Sequence, residues 1–423
     1  MRRHVLASVV GAICWLTSLP AVTRADDALM LPKGTFRLYS DAHFYLPFDK
    51  RYDPDGKPEA LGADFNRSLD SRVFPLLTPL DRFVGGRASL GDARVSIDID
   101  LVEVEFVLQY GVTDRLTLGV MVPYSWATTN VKARLETAPG SSANVGRNPR
   151  LGQPGQPPLI PLAAGGIPLT EEDVQQLLGP GLPGVPGFGF ERFETISVEG
   201  FGDLEASFKY QYLRTEDWRG VFGGGVRFPT GEVDDPDNLV DFSLGSGAYA
   251  LLFRFYTDYI LSHLWTGPQP PASPGELTLN GTFRYDLVLP DKQVRRVPDD
   301  VNNPLTTNKE NVSRDLGDRF EFEASARYVP FRDWFLTGLY RYGFKLEDRV
   351  SGTKGFNYES LEKETARTEH IVIAALSYST VGAYQGKRFP IPVIATVYYR
   401  NRFAGSNNAF RSQYIGLYLQ VFF

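Results

Sequence analysis

Cysteine and histidine are scarce in this chain, and their scarcity excludes several kinds of site. The only cysteine is Cys14, near the N-terminus. A disulfide framework or a cysteine metal site is therefore not possible in the rest of the chain. Beyond His4 the histidines are His43, His263 and His370, and their spacing matches no metal-binding or nucleophile motif. We expect neither a metal ion nor a cofactor.

Basic segments are also missing. The chain has 44 Lys and Arg against 50 Asp and Glu, a formal net charge of −6, and the basic residues form no block. Nucleic-acid binding depends on clustered positive charge that neutralises phosphates. A nucleic-acid partner is therefore not expected.

Long apolar runs are absent after the N-terminal segment. The first 25 residues, MRRHVLASVVGAICWLTSLPAVTRA, have a basic start, an apolar middle and a small residue at the end. This pattern predicts a secretory signal peptide that is cleaved after Ala25. Pro20 and the short apolar core argue against a membrane helix, and Ile13 before Cys14 argues against a lipoprotein site. No later stretch is long enough for a spanning helix.

The chain instead alternates apolar and polar residues. Residues 318–329, for example, place Phe320 and Phe322 on one face and Glu321 and Glu323 on the other. This period belongs to β-strands with two different faces, and about 10–12 residues suffice for a tilted strand to cross a bilayer. We predict about twelve strands, near 35–46, 94–110, 115–127, 203–213, 219–229, 243–260, 276–289, 318–329, 334–346, 366–380, 391–402 and 412–423.

The connections between these strands alternate in length. Short turns such as 111–114 and 330–333 alternate with long segments such as 47–93 and 128–202. An even-stranded barrel with both termini in the periplasm has short periplasmic turns and long extracellular loops. The predicted fold class is therefore all-β, a transmembrane antiparallel up-and-down β-barrel over residues 26–423. Its predicted location is the outer membrane of a Gram-negative bacterium.

The chain ends on QYIGLYLQVFF, an alternating strand without a polar tail. Leu417, Leu419, Val421 and Phe423 share its apolar face. Because an open sheet edge is not tolerated in lipid, this strand must pair with the first one. The terminal phenylalanine resembles the signal by which assembly machinery recognises outer-membrane proteins. We therefore expect these four residues to form an assembly signal.

The second predicted strand contains a change of phase. Its apolar face shifts by one residue between Leu101 and Val102. A β-bulge at this point would keep both halves facing the same way. It would also place Asp98 and Asp100 on the polar face that carries Glu103.

The long connection 128–202 is rich in Pro and Gly, which predicts irregular structure. Within it, LTEEDVQQLLG predicts a short helix with Thr170 as its cap and Asp173 three residues later. A plug inside the barrel, a cover outside it and a plain surface excursion are all compatible with this composition.

Charges on the polar face sort by strand. Glu103 and Glu105 lie near the middle of the second strand, and Arg284 and Arg341 lie on the seventh and ninth. Because these strands would be roughly opposite, we expect an acidic wall to face a basic wall across a lumen about 10 Å wide or less. Such a field would orient charged or dipolar solutes. The alternative is that ion-pair ladders brace a closed barrel.

Four stretches carry a family resemblance: LQYGVTDRLTLGVMVPYS (108–125), GFGDLEASFKYQYL (200–213), VRFPTGE (226–232) and LGSGAYALL (244–252). In this order and spacing they resemble the outer-membrane barrel proteins associated with meta-cleavage phenol degradation, a transporter-like family. The resemblance covers roughly residues 95–423. It implies an outer-membrane barrel linked to small, often aromatic or hydrophobic, solutes, and it identifies no substrate-binding residue. The insertion at 128–199 departs from the compact pattern.

These features favour a channel or facilitator for passive passage of small, aromatic or hydrophobic solutes. The main alternative is a structural or adhesive envelope barrel with a plugged lumen. A lipid hydrolase would need His370, which falls on the apolar face near the outer rim, but no serine motif accompanies it. We therefore predict no enzyme. The expected partners are outer-membrane lipid and lipopolysaccharide, the barrel-assembly machinery and a small solute.

Overall fold

A computed structural model describes residues 28–301 and 303–423. The predicted signal peptide lies outside these residues. Twelve strands in the described chain form one closed antiparallel sheet. They are β1 Phe36–Tyr45, β2 Ser89–Thr113, β3 Leu116–Glu136, β4 Leu204–Arg214, β5 Trp218–Phe228, β6 Ala250–Ile260, β7 Leu277–Val288, β8 Arg319–Tyr328, β9 Trp334–Lys345, β10 Arg367–Ser379, β11 Val393–Gly405 and β12 Gln413–Phe422.

Each strand pairs with the next one, and β12 pairs with β1, so the predicted barrel is confirmed. The register at the closure runs from Arg37 opposite Phe422 to Tyr45 opposite Tyr414. The last residue completes the closure: the Phe36 N–H donates to the Phe423 carbonyl at 2.7 Å, and the Phe423 N–H donates back at 3.0 Å.

The outer surface of the barrel is apolar. On β12, for example, Ile415, Leu417 and Leu419 are each about half exposed, whereas their neighbours Tyr414 and Tyr418 are buried. An apolar band of this size in contact with water would drive association, so the band faces lipid. The chain is an outer-membrane β-barrel. No helix in the described part of the chain combines the length and hydrophobicity of a membrane span.

Connection lengths follow the predicted topology over most of the chain. The turns at 114–115, 215–217 and 329–333 mark the periplasmic end. Two periplasmic connections, 261–276 and 380–392, contain short helices and are longer than the last outer loop, 406–412. The strict alternation of short and long connections therefore fails near the C-terminus.

The hairpin of β2 and β3 is much longer than the other strands. These two strands have 25 and 21 residues, against 10 to 13 in the rest of the barrel. At about 3.3 Å per residue, their upper halves project well beyond the membrane. We call these upper halves, residues 89–101 and 127–136, the upper ribbon.

The predicted β-bulge at Leu101 is wrong. The pairing of β2 with β3 continues without a shift from Asp92 opposite Glu136 to Gly111 opposite Thr117. Ile97 and Ile99 therefore face inward and are buried, together with Leu101, and Asp98 and Asp100 face outward. Above the membrane the outer face of the ribbon meets water and its inner face packs against loops, so the polarity of the two faces inverts there.

The remaining elements lie in the connections. The short strands are Lys50–Tyr52, Pro58–Ala60, Ser68–Asp70, Val145–Arg147, Leu159–Pro161, Gly181–Leu182, Val185–Pro186, Ile196–Phe201, Asp291–Arg296, Lys309–Asp315 and Arg349–Ser351. The α-helices are Asp81–Val84, Glu171–Leu178, His263–Thr266, Glu359–Glu362 and Val381–Gln385, and the 3-10 helices are Ala63–Phe65, Pro75–Leu80 and Leu162–Ala164. The predicted helix is confirmed with its cap, because Thr170 and Asp173 form a reciprocal capping box.

The four stretches that carry the family resemblance meet at the outer rim of the barrel. The buried Asp203 carboxylate accepts the Gly231 N–H at 3.1 Å, and the N–H and hydroxyl of Ser246 at 2.9 Å each. The Gly202 N–H donates to the Pro123 carbonyl at 3.0 Å, and the Thr230 hydroxyl donates to the Gly202 carbonyl at 2.9 Å. The motifs therefore build a junction that ties the outer loops to β3 and β4.

Candidate functional site: the lumen and its extracellular cap

One side of the inner wall is a network of ion pairs. Arg284 on β7 donates to Glu321 at 2.8 Å and to Glu323 at 3.3 Å, both on β8. Arg341 on β9 donates to Glu323 at 2.9 Å. All four side chains are buried. Further inner-face pairs join Arg227 to Glu205 and Asp286, Arg254 to Asp286, and Arg402 to Glu369.

The arginines of the predicted basic wall are therefore compensated by carboxylates. Glu321 and Glu323 lie between Arg284 and Arg341 and neutralise them from the neighbouring strand. The sequence already places these two glutamates on the polar face of their strand, but it does not reveal which cations they meet. A transverse field of the predicted form would need these arginines unpaired.

The acidic residues of β2 lie beside a buried histidine. The imidazole of His43 on β1 has Glu103 at 3.3 Å from Nδ1 and Asp41 at 3.4 Å from Nε2. The Tyr398 hydroxyl donates to Asp41 at 2.8 Å. Glu105 is buried opposite Asp41 in the register. The predicted acidic pair thus belongs to a wider polar cluster that crosses β11, β12, β1 and β2.

The inner wall at the barrel closure is aromatic. Tyr45 and Tyr414 have ring centroids 4.6 Å apart, and Tyr414 lies 4.8 Å from His43 and 5.9 Å from Tyr398. Phe48 lies 6.1 Å above Tyr45. Phe48 in turn contacts Phe410 at 5.4 Å, and lower down Tyr418 contacts Tyr39 at 5.0 Å. We call these eight residues the aromatic track.

The aromatic track passes directly over a glycine. Gly416 is the inner-face residue of β12 between Tyr414 and Tyr418, and it pairs with Tyr398 on β11. A Cβ at Gly416 would overlap the Tyr398 ring. The absence of a side chain here therefore lets Tyr398 lie across β12 and reach Asp41.

Loops fold inward over the extracellular mouth. Phe190 and Phe193 from the long loop pack with Phe242 and Phe410 against the inner face of the upper ribbon. We call this group the cap cluster: Phe48, Leu61, Ile97, Ile99, Leu101, Ala127, Phe190, Phe193, Leu239, Val240, Phe242, Leu244 and Phe410. Because Phe48 and Phe410 belong to both groups, the cap cluster continues into the aromatic track.

Arg296 ties three of the outer loops together. Its guanidinium donates to the carbonyls of Phe188 at 2.8 Å, Gly189 at 2.8 Å and Thr306 at 2.6 Å. It also donates to Asp237 at 2.9 Å. Partial burial would raise the pKa of Asp237, but hydrogen bonds from Lys309 and Arg296 outweigh it and lower that pKa. The Asp237 ion pairs therefore persist from neutral pH down to the acid range below an ordinary carboxylate pKa of about 4.

Replacing Arg296 with Met should loosen the cap without opening the barrel. The variant keeps an apolar stem but leaves four acceptors without their donor, at a cost of about 1–3 kcal/mol for each buried one. We expect cleavage of the outer loops by added protease to become about tenfold faster or more. Lys292→Met, an exposed position on the same loop strand, is the control. Equal cleavage rates for the two variants would show that Arg296 does not hold the cap.

The described N-terminal residues lie inside the periplasmic mouth. The Ala28 N–H donates to both oxygens of Asp258 on β6 at 3.2 Å, and Gln211 on β4 donates to the Ala28 carbonyl at 3.1 Å. Ala28 packs against Val221 and Tyr256 on the inner wall. The predicted cleavage site after Ala25 lies outside the described residues.

His370 lies among aromatic side chains on the outer surface. Its Nδ1 is 2.7 Å from the Tyr340 hydroxyl, and the Tyr342 and Phe403 rings lie 5.0 Å and 6.0 Å away. Within the described residues, its hydrogen-bond partner is thus a tyrosine and not the serine that a hydrolase would need. Among the same residues, no group of three or more His, Cys, Asp or Glu side chains could hold a metal ion.

Solved structures of other barrels resemble this fold at low sequence identity. An outer-membrane channel from Pseudomonas putida F1 matches with a TM-score of 0.48 and 11% identity, covering 95% of this chain and 99% of that chain. The Ralstonia pickettii toluene transporter TbuX matches with a TM-score of 0.33 and 12% identity, covering 95% and 92%. A FadL homologue from Pseudomonas aeruginosa matches with a TM-score of 0.32 and 10% identity, covering 98% of each chain.

No family model and no curated protein matches this chain. The similarity to solved structures lies in the barrel fold and carries no argument about the solute. The fold that the resemblance to meta-cleavage phenol degradation proteins implied, an outer-membrane barrel, is confirmed.

Proposed function

We propose that this barrel is an outer-membrane channel or facilitator for the passive passage of small, aromatic or hydrophobic solutes. The observation that carries the proposal is the aromatic track, which continues from the cap cluster down the inner wall. Six of the eight side chains of the track are buried, so a solute with an apolar ring would advance by displacing one ring contact at a time, each worth about 0.5–1.5 kcal/mol. No single contact is then strong enough to trap it.

The proposal assigns different roles to the two sides of the wall. The ion-pair network on β4 to β9 stiffens the barrel, and the aromatic side guides the solute. Glu103 and Glu105, with Arg284 and Arg341 on the other side, line the narrow part of the lumen in this proposal. Its partners are the solute, lipopolysaccharide around the outer rim, and the assembly machinery that would recognise the last strand.

The test is uptake of a hydrophobic probe by intact cells, because lipopolysaccharide excludes such probes and a plain phospholipid bilayer does not. Cells that produce the protein should take up N-phenyl-1-naphthylamine several times faster than cells that lack it. Tyr414→Ser should slow uptake about threefold, since one aromatic contact is lost. Tyr399→Ser, which removes a lipid-facing tyrosine from the neighbouring strand, is the matched control.

A second function, a structural or adhesive barrel, is favoured by the ion-pair network and the cap cluster. It predicts no difference in probe uptake between producing and non-producing cells at equal outer-membrane levels. A hydrophilic β-lactam that a periplasmic enzyme hydrolyses distinguishes a third outcome. Faster entry of that compound together with the probe would indicate a general pore and would refute the aromatic selectivity.

A further inference from the structure

A cavity opens between the upper ribbon and the outer loops, above the cap cluster. Its volume is about 440 Å³. One wall is the inner face of the ribbon, with Val131 and Ala133, and the facing wall is the helix Glu171–Leu178, with Val174. Phe193 and Leu239 of the cap cluster also line it. Its size lies in the range of about 300–1,000 Å³ that is usual for small-molecule sites.

The lining of the cavity is mainly apolar. Leu69, Val73 and Phe74 enter from the loop between β1 and β2, and Leu305 enters from the loop between β7 and β8. Segments from four connections therefore form one apolar concavity. Apolar surface left in contact with water costs about 25 cal/mol per Å², and a ligand that covers it recovers that free energy.

The charged residues of the lining nearly balance. Asp64 is paired with Arg51, which lies outside the lining. The other charged lining residues are three acids, Glu171, Glu172 and Glu194, and three bases, Arg67, Arg134 and Arg192. Arg192 is already bound to Glu172 at 3.0 Å and to Glu194 at 3.4 Å. This rim offers no net charge that would attract an ionic ligand.

We propose that this cavity binds an uncharged hydrophobic molecule of one or two aromatic rings at the cell surface. The ligand sits between Val174 of the helix and Val131 of the ribbon, with Phe193 below it. The inference deepens the proposed function, on which it rests for the destination of the solute. A molecule bound here is in contact with the cap cluster, and the cap cluster leads to the aromatic track.

A charged analogue of the same ligand should bind much more weakly. A carboxylate in this cavity would lose its hydration next to apolar side chains, and the balanced charges of the rim would not compensate that loss. A hydroxyl on the same rings keeps its contact with water at the exposed rim. The pair 2-naphthol and 2-naphthoate therefore separates the proposed class from an anion site.

The test is calorimetric titration of the purified full chain in lipid nanodiscs, with empty nanodiscs as the reference. We expect saturable binding of 2-naphthol. The affinity for 2-naphthoate should be at least about tenfold lower. Val174→Trp fills the cavity and should weaken 2-naphthol binding at least about tenfold. Gln176→Trp, on the same helix but outside the lining, should leave it unchanged.

A second variant guards against a local folding defect in the helix. Ala133→Asp places a charge on the opposite wall and should also weaken 2-naphthol binding. Unchanged binding in Val174→Trp and Ala133→Asp, or equal binding of the two naphthalenes, would overturn the site. Saturable binding without cellular probe uptake would refute the channel and support the binding site. Probe uptake without saturable binding would support the channel and refute the binding site.

Discussion

Asp203→Leu should detach the outer loops from the barrel rim. The buried carboxylate accepts three hydrogen bonds, from the Gly231 N–H and from both polar groups of Ser246. Leucine has the same branched shape but accepts no hydrogen bond, so two backbone N–H groups would be left without acceptors in a buried junction. At about 1–3 kcal/mol for each of these two groups, the total loss is about 2–6 kcal/mol.

The effect should appear as a lower temperature for loss of the compact, heat-modifiable form on a gel. Asp203→Asn should be intermediate, because its amide retains one oxygen as an acceptor. Glu232→Ala, an exposed side chain on the same loop, should not change the transition. A transition at the wild-type temperature in Asp203→Leu would mean that the junction does not stabilise the barrel.

The barrel itself could be predicted from the sequence because membrane strands obey a strong local rule. A strand in lipid must be apolar on one face, so its alternation is visible without knowledge of its neighbours. The alternation at 318–329 predicts the eighth strand, which is Arg319–Tyr328 in the structure. The alternation predicts that the sixth strand begins at residue 243, but it begins at Ala250, because residues 244–247 form part of the rim junction.

The same local rule misleads where a strand leaves the membrane. The phase change at Leu101 predicts a bulge only if the outer face of the strand stays apolar along its whole length. The strand is continuous, and it is the surroundings that change, from lipid outside to water outside and apolar loops inside. An alternating pattern gives the two faces of a strand but not the medium that each face meets.

Contacts between distant segments could not be predicted. The pairing of Arg284 and Arg341 with Glu321 and Glu323 depends on the register of three strands, and a one-residue slip would separate them. The cavity depends on loops that are far apart in sequence, such as residues 64–74 and 303–305. No local sequence pattern in those loops predicts that they are in contact. The roles of the predicted lumen residues therefore stay proposals.

Deleting Phe423 should lower the outer-membrane level of the protein about tenfold or more. The residue exchanges two backbone hydrogen bonds with Phe36, and its ring stacks on the Phe36 ring at 5.8 Å. Without it, the periplasmic end of β1 loses its partner at the closure, where lipid offers no replacement for a lost hydrogen bond. The deletion also removes the terminal aromatic residue of the proposed assembly signal.

Two variants separate closure from recognition. Phe423→Ala keeps the backbone pair with Phe36 and removes only the ring, so a level near that of the deletion would assign the effect to recognition of the side chain. A level near wild type would assign it to closure. Deletion of residues 153–156, an exposed turn of the long outer loop, is the control and should assemble normally. Equal outer-membrane levels for the control and the Phe423 deletion would refute both roles, since the terminal strand would then be no more important for assembly than a surface loop.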